Sequence, residues 1–128
     1  MRIKVFGTIC MLLAASCGGV IERAARSPVI EDEGVTFRLR SPAARTVQVA
    51  GDWPGNNWGR GDGEAGEVLV GLMERNGSEG IWEIAITLSP GRYRYRFIID
   101  EVKHVLDPDN PRIVEDGIGG RANLLIVP

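Results

Sequence analysis

YRYRFIID, residues 93–100, alternates without interruption. Tyr93, Tyr95, Phe97 and Ile99 fall on one side of an extended chain, with Arg94 and Arg96 on the other. Successive side chains of a strand point to opposite faces, so this pattern spells a strand with one face in a core and one in water. Arg92 extends the basic row by one place. The same period recurs on both sides of this stretch. VTFRLR, 35–40, sets Val35, Phe37 and Leu39 against Thr36, Arg38 and Arg40. IWEIAITL, 81–88, puts Trp82, Ile84, Ile86 and Leu88 on one face, and TVQVAG, 46–51, points Val47 and Val49 inward. VLVGLMER (68–75), KHVL (103–106) and ANLLIV (122–127) complete a set of about seven short strands. Between them lie SPAAR, NGSEG, SPGR and DPDNP, made of residues that favour turns. No stretch keeps a helical period over a useful length. The expected fold is all-β, a sandwich of antiparallel strands with Phe37, Val47, Val49, Trp82, Ile84, Tyr95 and Phe97 in its core.

A chain of 128 residues has room for one such domain. Its composition, 44% hydrophobic and 25% charged, is that of a globular protein. A formal charge of -2 leaves no electrostatic footprint for a nucleic acid. The first residues, MRIKVFGTICMLLAASC, do not belong to the sandwich. Arg2 and Lys4 precede an apolar run from Val5 to Ala15, which is the length of a signal-peptide h-region and too short for a membrane-spanning helix. Ala14, Ala15 and Ser16 lead into Cys17, which resembles a bacterial lipoprotein signal in which that cysteine carries the lipid. An ordinary secretory signal with an incidental Cys17 is the alternative. The expected organisation is a signal peptide over 1–16, a flexible tether over 17–33 and a domain over 34–128. Cleavage would remove Cys10, Arg2 and Lys4, leaving a domain without disulfides and a formal charge of -4. The protein would then sit at the bacterial cell envelope, held to the membrane through its N-terminal lipid.

GDWPGNNWGRGDGEAG, 51–66, places Trp53 and Trp58 among turn residues, where periodicity accounts for neither. Gly61, Gly63 and Gly66 spell GxGxxG, but no strand leads into them and no helix follows, so the dinucleotide reading fails. Asn76-Gly77-Ser78 is a glycosylation sequon that a turn explains fully. Asp107, Asp109, Glu115 and Asp116 lack the spacing of a calcium loop and read as turn residues. His104 is the single histidine, which rules out a multi-histidine zinc site; no metal or cofactor is expected. No serine sits in a nucleophile elbow, and no carboxylate pair stands out as a glycosidase couple, so no catalytic residue is assigned. Arg92, Arg94 and Arg96 form either a solvated face paired with Glu83 or other acids, or a donor row at a binding surface.

Five motifs in order then narrow the choice: Gly51-Asp52-Trp53 with Asn56-Asn57-Trp58, Gly80-Ile81-Trp82-Glu83, Pro90-Gly91-Arg92-Tyr93-Arg94-Tyr95-Arg96-Phe97, Asp107-Pro108-Asp109-Asn110-Pro111, and Asn123-Leu124-Leu125. Over about residues 34–128 they resemble the glycogen-binding domain of AMP-activated protein kinase beta subunits and the N-terminal domains of isoamylases and branching enzymes, carbohydrate-binding module family 48. The resemblance implies an immunoglobulin-like (early set) β-sandwich without catalytic activity that binds α-1,4-glucans. It implies Trp58 as the ring on which a sugar stacks, Arg96 in the place of a strand lysine, and Trp53 as a packed aromatic. The second stacking tryptophan of the family falls on His104. The asparagine at the start of the last strand falls on Ala122, with Asn123 one place later and turned to the other face. Trp58, Arg96, His104, Asn57 and Asn123 are the expected sugar contacts. The alternative function is a protein–protein scaffold at the envelope, which would draw on a broader apolar patch including Ile98 and Val102.

Overall fold

The computed structural model describes residues 27–31, 34–61 and 69–128. The signal-peptide expectation, Cys17, most of the tether, and Gly63 and Gly66 lie outside the described residues. Among the described residues nine strands follow one another: β1 (Val29–Glu31), β2 (Gly34–Arg40), β3 (Val47–Gly51), β4 (Glu74–Asn76), β5 (Ile81–Ile86), β6 (Gly91–Ile99), β7 (Lys103–Val105), β8 (Ile113–Glu115) and β9 (Arg121–Val127). They form two antiparallel sheets, one ordered β1-β2-β5-β4 and the other β3-β6-β9-β8 with β7 also on β6. Among the described residues there is no helix. The architecture is an immunoglobulin-like β-sandwich.

The nine-residue β6 organises the second sheet. Residues 95–99 pair with β3. Along its other edge, residues 91–95 pair with β9 and residues 97–99 with β7. Its inward residues Tyr95 and Phe97 are fully buried. Phe37 of the facing sheet stands edge-on to Tyr95 at 5.0 Å and stacks on Trp53 at 5.5 Å. Offset and edge-to-face aromatic pairs of this kind add about 0.5–1.5 kcal/mol each beyond their burial. Val47, Val49 and Trp82 are buried as the period requires, while Ile84 is only partly buried at the margin. The Trp82 indole N–H donates to the Ser41 carbonyl, so its polar end is satisfied.

Three details depart from the expected layout. Residues 29–31, placed in the tether, pair with β2 as an edge strand, and Ser27 is buried with its hydroxyl oxygen accepting from the Arg38 N–H. The sandwich therefore takes in residues 27–31. The strand sought at 68–75 is displaced: β4 starts at Glu74, and Leu72 makes only an isolated bridge to Gln48. The third departure is β8, a strand absent from the sequence expectation. It and β1 span three residues each, too few for a period of two to declare itself.

One end of the second sheet is closed by a buried polar cluster. The Tyr95 hydroxyl donates to Asp107 at 2.7 Å, and the Asn110 amide donates to the same hydroxyl and to the Leu124 carbonyl. The Asn123 carbonyl oxygen accepts from the Asp107 N–H at 2.7 Å, and its amide donates to the Asn110 carbonyl at 2.9 Å. Burial pushes the Asp107 carboxyl above its ordinary range, and burial together with the Asp107 charge pushes the Tyr95 hydroxyl up as well. The acidic motif DPDNP is thus a turn locked onto the sheet.

Candidate functional site

The loop after β3 folds back over the outer face of its own sheet. Ala50, opposite Arg96, is small enough to leave room for it and is fully covered. Asn56 ties the loop. Its side-chain oxygen accepts from the N–H groups of Gly51 and Gly59, and its amide donates to the Val49 carbonyl. The buried Gln48 side chain donates to the carbonyls of Gly59 and Val70. Gly59 has a φ of +87°, and a Cβ there would stand 2.8 Å from the Gln48 amide. Only glycine fits both the backbone and the space.

Within this frame the backbone turns left-handed at Asn57 (φ 46°) and Trp58 (φ 57°). Asparagine tolerates that region; a bulky residue there is an outlier costing about 1–3 kcal/mol, held in place by its surroundings. The Trp58 N–H donates to the Gly51 carbonyl, closing the turn beneath the ring. Trp58 is half-buried, whereas Trp53 is a core residue with 4% exposure. Gly51 explains the difference, since a Cβ there would lie 2.0 Å from the Trp53 ring. The two loop tryptophans divide the work: one anchors, the other is presented.

Arg96 meets Trp58 from β6. Its guanidinium carbon lies 4.8 Å from the centroid of the indole ring. Such a cation–π contact contributes about 0.5–2 kcal/mol. The Arg96 Nε–H donates to Nδ1 of His104 at 3.0 Å, and one terminal N–H₂ donates to Asp116 Oδ2 at 2.8 Å and to the Arg121 carbonyl at 3.1 Å. His104 sits opposite Ile98 on β7, so it is the diagonal neighbour of Arg96 on the same face. Asp116 Oδ1 accepts from the N–H groups of Ile118 and Gly120. These two bonds and Arg96 bring the Asp116 carboxyl down to about 2. Partial burial, then the Arg96 charge, lower the His104 imidazole from its ordinary 6.5. Arg96, His104, Asp116, Ile118 and Arg121 border an open groove of about 440 Å³. A smaller depression of about 310 Å³, edged by Asp52, Asn57 and Trp58, lies on the loop side.

The structure brings together three of the five expected contacts, Trp58, Arg96 and His104. Asn57 is exposed beside Trp58, but its amide donates to the Gly61 carbonyl. The placement of Asn123 is corrected: it is fully buried and both ends of its carboxamide are engaged in the DPDNP cluster. Its pairing with the inward Tyr95 fixes this side. Ala122, on the opposite side of β9, is also buried. The arginine row finds its acids in its own sheet rather than in Glu83. Arg94 pairs with Asp52 and Arg96 with Asp116, while Glu83 pairs with Arg38 across β2 and β5. Asp116 was legible only as a turn residue. Ile98 is buried, so it offers nothing to a partner surface, and Val102 stands exposed beyond the end of β6.

A β-sandwich that presents a fixed aromatic ring, a bracketed arginine and an open groove on the outer face of one sheet has the layout of a binding module. The sequence matches the family described as Carbohydrate-binding module 48 (Isoamylase N-terminal domain) over residues 24–109, and the chain belongs to that family of non-catalytic carbohydrate-binding modules. Among solved structures, one of a Salmonella typhimurium protein described as an alpha amylase shares the fold, with a TM-score of 0.53 at 21% identity. That match covers 80% of this chain and 15% of the Salmonella chain. No curated protein matches the sequence.

Proposed function

We propose that this protein is a non-catalytic α-glucan-binding module, glycogen-like or starch-like chains being its ligand, and that a lipid on Cys17 holds it at a bacterial cell envelope. One observation carries the first part. The Trp58 ring, fixed by a left-handed turn, meets Arg96, which is bonded to His104 and borders an open groove with it. An indole can lie against the apolar C–H face of a glucose ring, and the neighbouring polar groups can orient its hydroxyls. The fit with a family of carbohydrate-binding modules supports the same reading.

Titration with maltoheptaose and β-cyclodextrin, followed by calorimetry and tryptophan fluorescence, tests it. Saturable binding is expected, weakened at least about tenfold in Trp58→Ala, which corresponds to about 1.4 kcal/mol. Absence of binding up to millimolar sugar overturns the reading and favours the envelope scaffold. The anchor is tested separately. Cys17→Ser is expected to release the protein from the membrane fraction, and retention there removes the lipid from the proposal.

A further inference from the structure

The Arg96–His104 bond has a chemical requirement. A guanidinium nitrogen is only ever a donor, so the imidazole nitrogen facing it must carry a lone pair. His104 therefore accepts from Arg96 as a neutral ring, with its proton on Nε2. We propose that His104 is a positioning residue that holds Arg96 against Trp58 through this bond, so that the platform comes apart when the imidazole takes up a proton. Protonation replaces the acceptor by a second N–H donor and sets two cations in contact.

The other groups around the pair reinforce the point. From the loop side the neighbour is Trp58, which carries no charge. From the turn before β9 come Asp116 and, at the start of that strand, Arg121. Asp116 is already engaged by Arg96 and two backbone N–H groups and stays ionised down to about 2. It therefore holds Arg96 constantly, while His104 holds it conditionally. Lys103, next along β7, points to the opposite face. Burial and the Arg96 cation both push His104 below its ordinary 6.5. The neutral, assembled form is therefore complete above 6.5 and is lost as the pH falls through the lowered value.

Because the chain has one histidine, ¹⁵N signals of the imidazole report this residue alone. The full chain is expected to show the Nε2–H tautomer and a titration midpoint below 6.5. Tryptophan fluorescence is expected to step at the same midpoint in the parent and to lose that step in Trp58→Ala. The effect on ligand rests on the glucan reading above: affinity for maltoheptaose is expected to fall about tenfold between about pH 8 and about pH 5. His104→Gln supplies an amide oxygen that accepts from Arg96 at every pH, so the affinity this variant has is expected to be the same at about pH 8 and about pH 5, and the acid step to vanish. The Nδ1–H tautomer, a midpoint at or above 6.5, or an acid step that survives in His104→Gln overturns the proposal. If no sugar binds at any pH but the tautomer and the fluorescence step appear, the positioning role stands and the glucan reading falls.

Discussion

Asn56→Ala is expected to lower the stability of the domain by about 3–5 kcal/mol and to abolish the fixed environment of Trp58 together with it. The side chain serves three backbone groups, the N–H groups of Gly51 and Gly59 and the carbonyl of Val49. It is buried, so water does not replace it at once. A buried donor or acceptor left without a partner costs about 1–3 kcal/mol, and more than one is left here. The effect reaches the site because these bonds set where the chain turns left-handed. Without them the strain at Asn57 and Trp58 loses three of the bonds that hold it. Thermal unfolding and the tryptophan emission spectrum check both parts. A melting point within about 2 °C of the parent would show that the loop is held by something other than Asn56.

Asn123→Ala is expected to cost about 3–4 kcal/mol, or about 10–15 °C in melting temperature for a domain of this size, with no change in glucan affinity while the protein remains folded. The residue has no exposed surface, and its removal strips the Asp107 N–H and the Asn110 carbonyl of their short partners. The cluster that depends on it reaches Tyr95 through Asp107 and Asn110, in the centre of the core. A sugar contact would behave otherwise, losing affinity with little change in melting. Loss of affinity in the folded variant, measured by calorimetry well below its melting point, would return Asn123 to the site.

The contrast between these two asparagines marks what could be read from the chain. Strands β2, β5 and β6 declare themselves because each runs for six or more residues with a large apolar side chain at alternate positions. Their burial follows the pattern, most regularly in β2. The three-residue strands β1 and β8 are defined by what they pair with, which is not local information. The same holds for side chains. Asn56 and Asn123 both occur among turn and strand residues that offer no clue to burial. Their roles arise only once β3 lies beside its own following loop and β9 beside the DPDNP turn. Trp53 and Trp58 are equally alike as letters, and the resemblance to other carbohydrate-binding modules separated them before any geometry did. Asp116 illustrates the limit. Its turn-forming role is local, within Asp116–Gly120, but its hold on Arg96 depends on a sheet order that sets the β8–β9 turn beside β6.

Most of the knot that holds Trp58 is local to its own turn. The Asn56 bonds, the Gly61 N–H donating to the Asn56 carbonyl and the Asn57 amide donating to the Gly61 carbonyl all run between residues 49 and 61, while Gln48 and the Val70 N–H tie the Gly59 carbonyl from outside that span. The platform is therefore built chiefly from its own loop. A turn closed mainly by its own side chains keeps its shape when its surroundings change, so the aim of the ring is written chiefly in the loop that carries it.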